Sequence, residues 1–496
     1  MLKENGISKL ILALAIIAAF AYVVFLQFLS PVLYDPDSYY HIAVSGFIRN
    51  HGLRYPFHWA QFSVFKDAFS DKDILFHILN LPFLFLSDNP VTAGKYAFIF
   101  QAAIFFFVYL FILKKYLTDR LAAVFLLLPL TSSVFTTYLL QLRPATLANS
   151  LMLLGIYFLI NKKPAAVFVT VLLYSLSHVS FFMLIVFAFS CETIRQLTQK
   201  EFFAKNIYLA LAGAACGLLL HPNFPHNLFS QYLNGIVVQL YAFRGAETEI
   251  AGELLTLNTK SAVIANFTVF FSLNLVLWLA FTLKRKAIGF TTAVWFSATS
   301  IYLFLAFFGN RYWYQANILF FVFFASCVND WLKNKNWKGS SGKLKLTLAL
   351  YLAAVIALSL PGMKQLKEFI DFSSARSSRF EETGRWMQKN IPAGQTIYHS
   401  YWNDSPYFIC LNPKDNYLNC LDPIYMSYRY PRESELLNEL RLGRVDKPYV
   451  AIRKIFKSGY AYLNKFEPLY RQALEYPRQF KILYTNSEGA VFELLY

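Results

Sequence analysis

The amino-acid sequence predicts a polytopic α-helical membrane protein with a C-terminal extracytoplasmic α/β domain, and three observations predict it. Hydrophobic residues make up 56% of the 496 residues and charged residues only 15%, with a mean hydropathy of +0.40, whereas soluble chains carry about 25% charge. Apolar runs of spanning length recur as far as residue 360 and then give way to short alternating segments. Lys and Arg gather in short segments between those runs, as they do in cytoplasmic loops. The formal charge of +17 is therefore a topology signal and not a nucleic-acid footprint. The 51 Phe and 32 Tyr fit lipid-facing spans and interfacial belts.

Taken in order, residues 7–29 form the first span: at about 23 residues they exceed a signal-peptide core, and no A-x-A-like site follows. A polar first loop covers 31–73. Residues 74–86, "ILFHILNLPFLFL", are apolar but contain Pro82 and are too short to cross, which makes the segment re-entrant or interfacial. Spans follow at 96–113, 121–140 and 145–160. The apolar stretch 165–191 is interrupted by "SLSHVS", which divides it into two spans with a turn at 177–180. Spans at 207–220, 262–283, 288–308, 316–328 and 346–360 bring the total to about eleven. This threading collects the N-terminus, "KKYLTDR", "NKKP", "ETIRQLTQKEFFAK", "LKRKA" and "NDWLKNKNWKGSSGKLK" on one side. That side is cytoplasmic by the charge rule, so the chain belongs in the cytoplasmic (inner) membrane with its C-terminal domain outside. A full crossing at 74–86 would break the agreement.

The membrane domain is expected to cover 1–361 and the soluble domain 362–496. In the latter, "TIYHS", "YVAI", "FKILYT" and "AVFELL" read as strands, "RESELLNELRL" and "FEPLYRQALEY" as helices, and "TNSEGAV" as a hairpin turn. Cys410 and Cys420 would suit a disulfide on the oxidising side, while Cys191, Cys216 and Cys327 lie in or beside spans.

The threading brings a constellation to the outer face. "YDPDSYYH" supplies Asp35, Asp37, Tyr40 and His41; Gln141 and Arg143 follow the third span; His178 sits in the 177–180 turn; His221 ends the seventh span, and Arg311 ends the ninth. Each has an ordinary reading. "DPDS" suits a helix cap, span-end arginines snorkel, and histidines pack. Ionisable groups at a membrane are costly, however, and their meeting on one face suits a lipid phosphate held by cations beside a carboxylate that draws a proton from a hydroxyl. Asp35 and Asp37 are also a donor pair for Mg²⁺ or Mn²⁺, although no H-x-x-x-H or C-x-x-C spacing accompanies them. No Walker or Rossmann fingerprint is present, so an activated substrate would arrive by the membrane.

These residues resemble the GT-C superfamily of integral membrane glycosyltransferases. "YDPDSYYHIAVSGFIRNHGL" looks like the first-loop pattern of oligosaccharyltransferase catalytic subunits, and alignment on "YYH" puts the family aspartate at Asp37. "LLQLRPATLANSLMLLGIYFLI" resembles the R-x-x-R-P-D region of the protein O-mannosyltransferase and aminoarabinose-transferase branch at Arg143 and Pro144. "GNRYWYQANIL" resembles the late arginine/tyrosine motif at Arg311. Departures are Ala145 and Thr146 where that branch carries an acid, no acidic pair at "TTYLLQLRP", and "HSYWNDSPYF" in place of "WWDYG". The resemblance implies transfer of a sugar, with inversion, from a polyprenyl-phosphate donor to a glycan, lipid or protein acceptor. Asp37 would be the base with Asp35 assisting; Arg143, Arg311, His178, His221, Tyr40, His41 and Gln141 would hold donor and phosphate. The alternatives are en bloc oligosaccharide transfer, a transporter or flippase of lipid-linked sugars, and an inactive GT-C-like binding subunit.

Overall fold

The computed structural model describes residues 6–244, 251–282, 288–334 and 341–495. The "LKRKA" segment, the middle of "NDWLKNKNWKGSSGKLK" and the first five residues, all used for topology, lie outside the described residues.

The chain opens with α1 (Gly6–Phe28), then α2 (Pro36–His51) and the 11-residue α3 (Ile74–Leu84), which packs against α2 and against α4 (Pro90–Leu113). Proline begins α2 and α4, where its missing N–H is one that a first turn leaves unpaired anyway. Asn89 caps α4 by accepting from the Val91 N–H at 3.0 Å. Next come α5 (Asp119–Leu127) and α6 (Ser133–Leu139), an apolar pair bent at one break, followed by α7 (Pro144–Ile160), α8 (Pro164–Ser175), α9 (Phe182–Gln199) and α10 (Lys205–Leu220). The chain breaks between α8 and α9 at the residues of "SLSHVS". A second bent pair, α11 (Thr259–Ala265) with α12 (Phe267–Thr282), precedes α13 (Phe290–Ala306), α14 (Tyr312–Asn334) and α15 (Ser341–Asn390).

The two bends, 86° and 77°, meet each other. Ser132 Oγ donates to the Ala265 carbonyl at 3.0 Å, Asn317 Nδ2 donates to Asn266 Oδ1 at 2.8 Å, and Thr131 pairs with Thr268 at 2.6 Å. Backbone groups freed by a broken helix in hydrocarbon need such partners. Among the described residues α1, α4, α9, α14 and α15 are long and apolar enough to cross a bilayer, and counting each bent pair as a span gives seven. The other four segments read as spans, α7, α8, α10 and α13, have 17, 12, 16 and 17 residues. The polytopic helical architecture stands, with four of its segments shorter than a straight crossing needs.

The 50-residue α15 carries the chain into the C-terminal part without a break at residue 361. There β1 (Thr396–His399), β2 (Asn416–Tyr417), β3 (Tyr460–Asn464), β4 (Phe480–Thr485) and β5 (Gly489–Leu494) form one sheet in the order β2-β1-β3-β5-β4. β1 is parallel to β2 and β3, while β5 runs antiparallel to β3 and β4. Helix α16 (Ser405–Leu411) follows β1; α17 (Pro431–Arg441), α18 (Pro448–Lys454) and α19 (Pro468–Glu475) cover the sheet. The "YVAI" strand is a correction. It lies in α18, started by Pro448 and ending on Arg453 and Lys454, and β3 is instead "YAYLN". Helix-start chemistry outweighs a short β-favouring run. All five cysteines are free thiols, Cys410 and Cys420 included.

One hydrophobic core runs from α1 into the C-terminal part, and a second fills the space between the sheet and α17–α19. Phe380 of α15 stacks on Tyr407 of α16 at 4.6 Å, and Tyr407 meets Tyr39 of α2 at 4.7 Å. The first loop completes the seam. Tyr417 N–H donates to the Trp59 carbonyl at 2.6 Å, and Gln61 and Phe62 N–H groups donate to the Tyr417 and Leu418 carbonyls at 2.8 and 2.6 Å. Sheet and first loop are thus fastened together beside α2.

Candidate active site

At that seam lies a cavity of about 420 Å³. Its wall includes Asp37, Tyr40, His41, Gln141, Arg143, His178 and Arg311, so seven of the nine residues singled out from the sequence come together. They do so because helices begin there: Asp35 is the N-cap of α2, Arg143 that of α7, and Arg311 immediately precedes α14. His178 caps the short turn entering α9. Helix N-termini add positive potential and unpaired N–H groups, a setting for an anion.

Arg143 is the hub. Its Nε reaches Asp35 Oδ2 at 2.8 Å, Nη2 reaches Asp37 Oδ2 at 3.1 Å and Nη1 reaches Glu253 Oε2 at 2.5 Å. Arg311 Nη2 contacts Glu253 Oε1 at 3.4 Å. Backbone bonds clamp the Glu253 loop to the start of α14: Arg311 N–H donates to the Glu253 carbonyl and Asn310 N–H to the Leu255 carbonyl, each at 3.0 Å. Asp35 stands behind Arg143, buried, and accepts from Ser38 Oγ; Ser38 Oγ also accepts from Leu142 N–H at 2.9 Å. Asp35 holds the N-cap position, yet its carboxylate serves Arg143 and Ser38 and not the helix N–H groups. Asp37 keeps about a quarter of its side chain open. Burial, opposed by Arg143 and aided by Asp35 and Glu253, pushes its carboxyl up to about 6. Glu253 is half-buried; desolvation there favours the neutral acid, but Arg143 and Arg311 outweigh it and hold the carboxyl down to about 2.

Burial and the cations Lys72 and Arg311 lower His178 to about 3, so its ring is neutral. Ser180 N–H donates to its Nδ1 at 3.1 Å, which leaves the ring proton on Nε2. Tyr40, His41 and Gln141 are nearly buried and show only edges to the cavity. His221 is elsewhere. Its Nε2 donates to the Asp71 carbonyl at 2.8 Å and its Nδ1 accepts from Asn223 N–H at 3.1 Å, so it fastens the first loop from the end of α10.

Sequence reasoning missed Glu253, Lys72 and Asp422, all on the wall. Glu253 lies in the 221–260 loop on the side of the other candidates, and applying the same threading to that loop would have found it. Asp422, pushed up to about 6 by burial, comes with Trp402 and Asn403 from the C-terminal part. Only the three-dimensional docking brings them to the wall that carries Arg311. A second cleft of about 250 Å³, lined by Val179, Phe182, Met183, Tyr302 and Leu305, shares His178 and Arg311 with the cavity.

No protein-family model and no curated protein matches the chain. Solved structures do match in fold. Archaeal oligosaccharyltransferase AglB from Archaeoglobus fulgidus, in complex with an inhibitory peptide and a dolichol-phosphate, has a TM-score of 0.61 at 11% identity, covering 93% of this chain and 70% of that one. The Archaeoglobus fulgidus oligosaccharyltransferase with Zn and sulfate has 0.58 at 12% identity, covering 97% and 73%. ArnT from Cupriavidus metallidurans bound to undecaprenyl phosphate has 0.59 at 11% identity and covers 98% of both chains. The chain therefore shares its fold with these AglB and ArnT structures.

Proposed function

We propose that this protein is a GT-C glycosyltransferase that moves a sugar, with inversion, from a polyprenyl-phosphate donor to a glycan, lipid or protein acceptor. The observation that carries the reading is Arg143, poised among three carboxylates on a cavity into which helix N-termini converge. A lipid phosphate entering there competes with Glu253 for Arg143 and Arg311, and His178 offers an N–H. These groups would stabilise the charge that develops on the departing phosphate. Asp37, partly open and raised toward neutrality, is matched to accepting the acceptor's proton or orienting its hydroxyl. The apolar cleft beside His178 and Arg311 suits the lipid tail. Dolichol-phosphate and undecaprenyl phosphate in the fold neighbours agree with that class of donor.

A divalent cation does not fit this donor set. Asp35, Asp37 and Glu253 all converge on the Arg143 guanidinium, and no group of three or more metal-binding side chains gathers among the described residues. The reading therefore takes no step through Mg²⁺ or Mn²⁺. It also includes the inner-membrane placement, the cytoplasmic N-terminus, a re-entrant 74–86 and an extracytoplasmic 362–496. A transporter would place broken helices around an open substrate path, whereas the two bends here are closed by Ser132, Asn266 and Asn317. The test is Asp37→Asn. Transfer of sugar from undecaprenyl phosphate should fall roughly 10²–10⁴-fold with membrane expression unchanged; full activity would sink the assignment.

A further inference from the structure

Behind His41 lies a line of buried titratable groups that the scheme above does not use. His41 Nδ1 is 2.7 Å from His77 Nε2, and His77 Nδ1 is 2.7 Å from Asp71 Oδ2. His77 is fully buried in α3, and Asp71 and His41 are 3% and 4% exposed. Asp71 is well held: its Oδ1 accepts from Asp73 N–H at 3.1 Å, and its carbonyl accepts from His221. His41 is the member that reaches the cavity, one helical turn after Asp37 on α2. No described group pairs with its Nε2.

The geometry points to a proton relay, Asp71–His77–His41, that ends at His41 Nε2 on the cavity wall and stores the proton Asp37 draws from the acceptor. This rests on the transferase reading and deepens it. Protonation roles follow along the line. An ionised Asp71 only accepts, so His77 Nδ1 carries a proton; a neutral His77 then accepts at Nε2, so His41 Nδ1 carries one; His41 Nε2 is left with a lone pair. Opposed by burial but lowered by His77, its backbone partner and His221, the Asp71 carboxyl lies below its ordinary range, as an acceptor-only end requires.

On transfer, the acceptor's O–H or N–H bond breaks and its electron pair forms the new bond to the sugar, while the phosphate departs with the old bonding pair. The released proton passes from Asp37 to His41 Nε2, and the His41 Nδ1 proton moves to His77 Nε2. The positive charge then rests on His77 beside Asp71. Two histidines are needed because a charge kept on His41 would face the cations Lys72 and Arg143. The other groups around the line are Asp37 and Tyr40 on α2, Tyr55 and Asp73 in the first loop, and His221 at the end of α10. The proton leaves with the phosphate or to water in the cavity.

The first test needs no substrate. ¹⁵N-histidine NMR of the full-length protein in nanodiscs should show His41 and His77 both neutral and Nδ1-protonated at neutral pH, joined by an N–H···N coupling. Asp71→Asn should reverse or mix those tautomers. A resting His41 protonated at Nε2, or no coupling between the rings, overturns the relay and leaves the transferase reading standing. The second test uses an undecaprenyl-phosphate sugar. His77→Gln should lower kcat roughly tenfold or more, leave KM within about twofold and move the acid limb of the pH profile. An unmoved limb overturns the relay. Absence of transfer by the wild-type protein would instead overturn the transferase reading, which the tautomers do not decide.

Discussion

Two arginines in this molecule are each held by carboxylates, and one of them, Arg143, lines a cavity while the other is sealed in the helix bundle. Arg195 is 2% exposed; its Nε pairs with Glu192 at 3.0 Å, its Nη2 donates to the Leu159 carbonyl at 2.8 Å, and its guanidinium lies over Phe290 at 4.5 Å. Glu192 is in turn saturated by Asn206 Nδ2 and Phe203 N–H at 2.7 and 2.9 Å. That cluster ties α9 to the end of α7 and the starts of α10 and α13 and leaves no acceptor to exchange. Arg143 has three carboxylates from two segments, the start of α2 and the Glu253 loop, one of them shared with Arg311, on an open cavity. Buried charge alone therefore does not mark a site; a cation whose partners a phosphate can replace does.

Substitution separates the two most strongly. Arg143→Ala should abolish transfer, at roughly 10³-fold or more, a loss on the scale of removing electrostatic transition-state stabilisation, while the protein still folds. Arg195→Ala should cost about 3–5 kcal/mol of stability, as an orphaned buried partner does, yet leave turnover per folded molecule near wild type. Thermal unfolding combined with a transfer assay reads both, and the reverse pattern would break the comparison. The next effect is in pH. Asp37 is raised to about 6, so kcat/KM should climb as pH rises through that value and then level, and Asp37→Asn should erase the climb.

A third buried cluster sharpens the contrast. In the C-terminal part Asn464 Nδ2 bridges Asp404 Oδ2 at 2.7 Å and Glu467 Oε1 at 2.9 Å. Burial, opposed by Asn464 and aided by Asp404, pushes Glu467 up to about 8. Because the folded state then holds a proton that the unfolded chain releases near its ordinary 4.5, this contribution is whole below about 4.5 and is lost as pH rises toward 8. Glu467→Gln should flatten that decline in a pH series of melting temperatures without altering transfer. The smallest expected effect is that of EDTA: transfer should change less than about twofold, since Arg143 already occupies the carboxylates. Loss restored by Mn²⁺ would favour en bloc oligosaccharide transfer.

How much of this was legible in the sequence depends on whether the signal is local. Span order followed from run length, and the α8–α9 break from a polar interruption. Asp37, Arg143, His178 and Arg311 were found together because each lies at a span end, where hydropathy changes abruptly. Glu253 and Asp422 were not, because each reaches the wall through a loop whose path depends on packing. His77 and Asp71 escaped for a related reason: His77 stands in an apolar run and Asp71 in a plain loop, and only α3 packing on α2 joins them to His41. Arg195 was read among topology charges at "ETIRQ", since a linear pattern does not tell a loop cation from one turned into the bundle. His221 was placed on the correct segment but faces the first loop.

The central claim is that Arg143 and Arg311 take up a lipid phosphate in exchange for Glu253, and binding of undecaprenyl phosphate to the full-length protein in nanodiscs tests it most directly. Arg143→Gln should weaken binding roughly 10- to 100-fold, as loss of a charge-assisted pair does, and Glu253→Gln should tighten it by freeing both guanidinium groups. Wild-type affinity in Arg143→Gln, or weaker binding in Glu253→Gln, would contradict the account.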